Sequence, residues 1–234
     1  MGRIKYQEDE DGEGDEELRR DAMKLNDYEK RVIRLNKHVK NPLLLYRDFA
    51  KILEITFADL DKCIDISKAN PKDQIWKRLV VRTAFSVIDS VCYKLKEFVY
   101  CSAKHCGYNL SQEEEFFLLG VKKDKQGIPN NYRYPLEENI EKTIDISEKF
   151  YGLIFTVQSA REWKLFKKAI KVRNRITHPK HSNDLSISQE EDNMASDAFS
   201  WFMKRIFEIH VASSGIDKVK WKKIEARGRV APSA

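Results

Sequence analysis

The sequence lacks any long apolar run. None of its 234 residues falls in a stretch of about 18 consecutive apolar residues, the length a membrane-spanning helix needs, so no membrane span is predicted. The N-terminal segment is acidic and polar and has no apolar core of a secretory signal peptide. We therefore expect a cytoplasmic protein without membrane attachment, in which the four cysteines are reduced thiols, mostly buried in helices.

Patterns typical of β-strands are also nearly absent. Alternation of apolar and polar residues is confined to LSIS at 185–188, and no Asn-Gly or Asp-Gly pair stands between two apolar runs. Apolar residues instead recur at steps of three and four over long segments. These features predict an all-α protein, a helical bundle built around one long central helix.

Charge is unevenly distributed along the chain. Residues 1–17 carry eight acidic side chains against two basic ones, a net charge of −6, so the remainder carries +12 within a total of +6. A net charge of +12 on the rest of the chain favours binding to a polyanion, and nucleic acid is the commonest polyanion. The acidic run has low complexity, and we expect residues 1–20 to form a disordered tail. This tail either keeps the protein soluble or mimics nucleic acid and occupies the protein's own basic groove.

Residues 21–213 are predicted to form one helical domain, followed by a basic C-terminal tail over 214–234. Asn-Pro pairs at 41–42 and 70–71 each end one helix and start the next. The second pair precedes the longest helical pattern, Lys72 to His105.

Capping boxes predict two further helix starts, at SQEE (111–114) and SARE (159–162). The turn-rich segment 121–135 is predicted to be a loop, and a helix follows it from Leu136 to about Gln158.

The helix opened by SARE ends in KVRNRITHPK, residues 171–180, which gathers cationic residues in its last turn. Basic residues there complement the helix dipole, which is one interpretation of the pattern. The other is that Arg173, on the apolar face, lines a crevice or has a buried acidic partner. Because Pro179 ends the helix near Thr177, His178 is then free to turn toward Arg173.

This motif resembles the signature of the HEPN superfamily (higher eukaryotes and prokaryotes nucleotide-binding). That signature is an Arg, usually followed by a polar residue such as Asn, with a His a few residues on, at the end of a helix in an all-α bundle. Arg173, Asn174 and His178 match it. The resemblance covers roughly residues 40–212, including the aromatic-rich helix around 198–207 that follows the motif.

Many members of that superfamily are metal-independent ribonucleases of toxin–antitoxin or antiviral defence systems, and they act as homodimers whose two motifs share one cleft. The resemblance therefore implies an RNA substrate, a homodimer, an antitoxin or defence-system partner protein, and no metal or cofactor. It makes Arg173, Asn174 and His178 the expected catalytic residues.

The chemistry of these side chains fits the same activity independently. Cutting RNA without a metal needs a base for the 2′-OH, an acid for the 5′-oxygen and a cation for the phosphate. Histidine suits proton transfer near neutral pH, and arginine grips phosphate bidentately. One His178 per chain supplies half of the acid–base pair, so a second protomer completes it.

Basic residues around the motif are predicted to contact RNA: Lys171, Arg175, Lys180 and His181. Two alternatives stay open for them. Arg175 and His181 form a second Arg–His pair that competes for the catalytic role, and the two lysines are equally explained as solvated charges.

Arg82 and Asp89, on the long helix, are predicted to support the site. Asp89 either holds Arg173 or His178 in place, or simply faces solvent on the polar side of its helix. A zinc site at the neighbouring cysteines and histidine of 101–106 is disfavoured, because the spacing matches no common site. The alternative function is a non-catalytic helical module that binds RNA, a nucleotide or a partner protein.

Overall fold

Long α-helices account for nearly all of the chain that the computed structural model describes, residues 27–40, 43–153 and 161–214. The predicted acidic tail, and the predicted basic tail beyond Ser214, lie outside these residues. The described residues form seven α-helices: α1 (Asp27–Val39), α2 (Leu43–Ala69), α3 (Gln74–His105), α4 (Gln112–Leu118), α5 (Leu136–Tyr151), α6 (Arg161–Thr177) and α7 (Gln189–Ser214). The prediction of an all-α protein is confirmed.

The central helix of the bundle is α3, which contacts each of the other six described helices. Its apolar positions, spaced by three and four, are fully buried at Val87, Ile88 and Val91. The helix starts after Asp73, whose carboxylate accepts a hydrogen bond of 2.8 Å from the backbone N–H of Ile75. Because it is surrounded by other helices, α3 positions residues from most of the chain.

An aromatic cluster joins α6 to α7 and to α3. Trp163 and Phe166 stack with ring centroids 5.5 Å apart, and Phe166 lies 5.5 Å from Trp201 of α7. Phe166 also contacts Phe85 of α3 edge-to-face at 5.9 Å. This packing fixes the axis of α6 and therefore the position of its C-terminal turn.

Two predictions about the segment between α4 and α6 were wrong in part. The predicted loop contains a short antiparallel hairpin, β1 (Val121–Lys123) and β2 (Pro129–Asn131). Asp124 accepts two backbone hydrogen bonds within the turn, at 2.8 and 2.9 Å, and Gly127 adopts a φ of +82°. An aspartate-stabilised turn with glycine in the left-handed region closes the hairpin without an Asn-Gly pair.

The second difference concerns α5, which ends at Tyr151 and not near Gln158. Gly152 follows it with a φ of +71°, and its backbone N–H donates to a carbonyl of the last turn. The first two residues of the SARE box lie outside the described residues.

Ser111 and Glu114 form the reciprocal capping box predicted for α4. Within the described ranges, no helix has both the length and the apolar composition that crossing a membrane requires.

Candidate functional site

The last turn of α6 changes from a buried apolar face to a polar end. Ile176 is fully buried, whereas the side chain of Arg173 keeps 22% of its surface exposed and His178 is exposed. The helix ends at Thr177, as Pro179 predicts. Neither Arg173 nor His178 is packed in a closed core, so both are accessible from solvent.

Arg173 has an acidic neighbour on the central helix. Its Nη2 lies 4.0 Å from Oδ2 of Asp89, and its Nη1 donates a 3.0 Å hydrogen bond to Oδ1 of Asn174. Asp89 is therefore adjacent to Arg173 and does not simply face solvent. The carboxylate and the amide therefore lie next to different nitrogens of the guanidinium.

Burial raises the pKa of the Asp89 carboxyl above its ordinary value, while the positive charges of Arg173, Arg133 and Lys96 act in the opposite direction. Because the pKa is raised overall, the effect of desolvation on this carboxyl is larger than the effect of the neighbouring positive charges. That Asp89 positions Arg173 stays a prediction.

Arg82 anchors the end of α6 from one side. Its Nη2 donates to the backbone carbonyl oxygen of Ile176. Arg82 and Asp89 are seven residues apart, two turns of α3, so they lie on the same face of that helix. Both therefore lie beside the last two turns of α6, and their support of a functional site stays a prediction.

His178 retains one helical backbone bond, from its N–H to the carbonyl oxygen of Asn174 at 3.0 Å. Among the described residues its imidazole has no hydrogen-bond or ion-pair partner. Thr177 bonds its hydroxyl to the carbonyl oxygen of Arg173 at 2.7 Å and closes the same turn. The imidazole is therefore available to an external group, and its convergence with Arg173 on one phosphate stays a prediction.

Arg175 points to a different neighbourhood from Arg173. It donates hydrogen bonds of 2.8 Å to the carbonyl oxygens of Asp184 and Ser186, and 2.7 Å to Glu191 of α7. Arg175 therefore fixes the segment that follows α6, although its guanidinium was predicted to contact RNA. The competing Arg175–His181 pair has its arginine already engaged.

The segment after α6 is held at several further points. Gln74 of α3 bonds both the N–H and the carbonyl oxygen of Ile187, at 2.7 and 3.2 Å, and Arg78 donates to the carbonyl oxygen of Leu185 at 2.8 Å. Asp184 accepts the backbone N–H groups of Lys180 and His181 at 2.8 and 3.0 Å, and these bonds lower the pKa of its carboxyl.

The side chains of Lys180 and His181 are exposed, as is that of Lys171 on α6. All three are accessible to a polyanion, and their contact with RNA stays a prediction.

Sequence reasoning missed a cleft of about 850 Å³ next to Asp89. We call it the α3–hairpin cleft, since α3 and the hairpin region form its main walls. Its lining includes Arg31, Asp89, Tyr93, Lys94, Lys96, Gly120, Tyr132 and Arg133. The available signal was weak: Asp89, Tyr93 and Lys96 recur at steps of four and three on α3, among apolar residues.

None of the four cysteines, all within the described residues, forms a disulfide, and three of them are buried. The Sγ of Cys101 donates to the carbonyl oxygen of Leu35 at 3.5 Å. The Nδ1 of His105 lies 2.9 Å from the carbonyl oxygen of Val39. Among the described residues, no group of three or more His, Cys, Asp or Glu side chains is arranged to hold a metal ion.

Comparison of the chain with protein-family models, with curated proteins and with solved structures finds no match. The functional interpretation of Arg173 and His178 therefore depends on their own geometry and on the motif that contains them.

Proposed function

We propose that the protein is a metal-independent endoribonuclease of HEPN type. The observation that carries the proposal is the arrangement at the end of α6, where an oriented Arg173 and an accessible His178 flank one helix turn. Had either side chain been packed in a closed core, a non-catalytic binding module would have been favoured. The exposure of both supports catalysis.

Arg173 serves the phosphate in this proposal. An arginine guanidinium has a fixed fork of donors that matches two phosphate oxygens, and it stays protonated throughout the reaction. Asp89 and Asn174 restrict the orientation of Arg173 before RNA arrives, so less entropy is lost on binding.

His178 moves protons in the reaction. A neutral imidazole removes the proton of the RNA 2′-OH, and the 2′-oxygen forms a bond to phosphorus. The bond from phosphorus to the 5′-oxygen breaks, and that oxygen takes a proton from a second imidazole in its protonated form. The products are a 2′,3′-cyclic phosphate and a 5′-hydroxyl, and the second histidine comes from another protomer.

The basic body of the chain and the exposed Lys171, Lys180 and His181 support RNA as the substrate class. The resemblance to HEPN proteins supports a cytoplasmic toxin or antiviral effector, controlled by an antitoxin or another defence-system protein. The alternative is a non-catalytic helical module that binds RNA, a nucleotide or a partner protein, and the cations of the α3–hairpin cleft fit such a module as well as they fit a ribonuclease.

The deciding experiment incubates purified full-length protein with labelled single-stranded RNA in the presence of EDTA. We expect cleavage to 2′,3′-cyclic phosphate ends in the wild type and none with His178→Ala. A single 2′-deoxy substitution at the cut position should block cleavage and leave binding nearly unchanged. Cleavage through the deoxy position, or a requirement for magnesium, contradicts the mechanism.

A further inference from the structure

The α3–hairpin cleft has an excess of positive charge. The described residues that line it include one carboxylate, Asp89, and four cations: Arg31, Lys94, Lys96 and Arg133. The buried Glu97, which does not line the cleft, pairs with Lys94 at 3.1 Å and with Arg31 at 3.9 Å, so the balance remains positive. A concave surface with one sign of charge concentrates ligands of the opposite sign. The cleft therefore suits an anion.

Two of these cations are held in the wall at a cost in solvation. Lys96 is 5% exposed, and its Nζ donates to Oδ1 of Asn139 at 2.9 Å and lies 4.5 Å from the ring centre of Phe117. Burial, followed by the nearby charge of Arg31, lowers the pKa of Lys96 to about 8. A buried cation with a single neutral hydrogen-bond partner is stabilised when an anion approaches it.

Arg31 also lines the cleft. It donates to the carbonyl oxygen of Leu119 at 2.6 Å and stands over the ring of Tyr93 at 4.9 Å, while its Nε is buried without a hydrogen-bond partner among the described residues. Gly120 admits this arginine, because a Cβ there would stand 2.7 Å from its Nη1.

Aromatic rings are exposed beside the cations. Tyr93 is 39% exposed, and Tyr132, with the Nζ of Lys122 4.7 Å from its ring centre, is 37% exposed; both line the cleft. Tyr132 is held by an edge-to-face contact with Tyr134 at 4.7 Å, and its N–H donates to the carbonyl oxygen of Gly120 at 2.9 Å. Exposed rings between cations are the arrangement on which single-stranded nucleic acids bind, since bases stack while cations hold phosphates.

The cleft and the candidate catalytic turn are linked through Asp89. Asp89 lines the cleft and lies 4.0 Å from Arg173, while Lys96 is two helical turns farther along α3, about 10 Å at 1.5 Å per residue. If the scissile phosphate of a strand contacts Arg173, the neighbouring nucleotides of that strand can therefore reach the cleft.

We propose that the α3–hairpin cleft binds the single-stranded RNA that flanks the cut site. Bases stack on Tyr93 and Tyr132, and Arg133 and Lys96 hold the adjacent phosphates. This inference rests on the proposed function, which makes RNA the substrate. It assigns to the cleft most of the affinity for that RNA, and to the end of α6 the cleavage.

The test measures binding of a labelled single-stranded RNA of about 12 nucleotides by fluorescence anisotropy, with full-length protein carrying His178→Ala so that no strand is cut. Tyr132→Ala should weaken binding about tenfold through lost stacking. Arg133→Ala should weaken it several-fold and lower the salt dependence by about one phosphate contact. Lys125→Ala is the matched control, because Lys125 is exposed on the hairpin turn outside the cleft.

Circular dichroism melts identify any variant that fails to fold, and the exposed Arg133 keeps the test valid if Tyr132→Ala does fail. Affinities of both cleft variants equal to that of Lys125→Ala overturn the inference, as does the absence of RNA binding in the parent protein. If cleavage depends on His178 but the cleft variants bind RNA as the parent does, the binding role of the cleft is wrong and the ribonuclease proposal stands. If the cleft variants bind RNA more weakly but the wild type does not cleave it, the binding role stands and the ribonuclease proposal is wrong.

Discussion

The end of α6 and the α3–hairpin cleft meet at Asp89, yet they are built in opposite ways. The three motif residues at the end of α6 lie within six positions of the chain, and they are partly or fully exposed. The cleft draws its residues from several separate segments, and its cations include a deeply buried lysine. Under the proposed function, the groups that would meet the reacting phosphate are accessible in the first region, and the groups that would hold the rest of the strand are fixed in the second.

This division predicts that chemistry and binding can be separated by mutation. The largest effect is expected for His178→Ala, which should lower the rate of RNA cleavage by about 10²–10⁴-fold, the range for loss of a general acid or base. Arg173→Ala should act similarly, because the phosphate loses its bidentate partner. Cleavage rates under single-turnover conditions provide the measurement.

His181→Ala is the control for His178→Ala, since it removes a nearby exposed imidazole. It should change cleavage only a few-fold, as expected for a peripheral RNA contact. Near-wild-type cleavage by His178→Ala, with unchanged helicity, would exclude this motif as the site.

Arg173 and Arg175 offer a sharper comparison within the motif itself. Arg175→Ala removes three hydrogen bonds to the segment after α6, and it should lower the free energy of unfolding by about 2 kcal/mol. Arg173→Ala should lower it by less than about 1 kcal/mol, since its pair with Asp89 is long and partly exposed. Urea denaturation of both variants measures the difference, and equal losses contradict the assignment of roles.

Asp89 joins the two regions, and its role is tested by coupling. Asp89→Asn should lower kcat about tenfold with little change in KM, because Arg173 then loses part of its orientation. In an Arg173→Ala background the same substitution should have no further effect. Asp89→Glu should restore part of the rate. Additive losses in the double variant show that Asp89 acts independently of Arg173.

The sequence predicted the helices well because their signals are local. Steps of three and four, Asn-Pro breaks and the Ser111–Glu114 box each act within a few residues, and they identified the central helix correctly. The hairpin was missed because its turn depends on the Asp124 side chain bonding the backbone ahead of it. The end of α5 was missed because a single glycine, Gly152, stops the helix.

The candidate site divides in the same way. Arg173, Asn174 and His178 were accessible to sequence reasoning, because a helix end and a proline fix their relation locally. Their partner Asp89 was left between two interpretations, since only the packing of α6 against α3 brings the two residues together. The cleft had almost no sequence signal, because its residues meet through tertiary contacts.

The smallest expected effect concerns Lys96, whose pKa is lowered to about 8 by burial and by Arg31. If its charge holds phosphate, the affinity for single-stranded RNA should fall a few-fold as pH rises from 7 to 9, beyond the change seen in Lys96→Met. Anisotropy titrations at constant ionic strength give the comparison, in the His178→Ala background so that catalysis does not contribute. An identical pH dependence in both proteins removes Lys96 from the binding surface.

The same lysine has an independent signature in folding. Its pKa in the folded protein lies below its ordinary value of 10.5, so between pH 8 and pH 10.5 the unfolded chain binds more protons than the folded one. The free energy of unfolding should therefore rise across that window relative to Lys96→Met, in which this contribution is absent. RNA bound to the cleft favours the protonated lysine, so it should move this rise to higher pH. Denaturation curves with and without uncut RNA measure the displacement, and a window that stays in place when RNA binds means that the strand lies elsewhere.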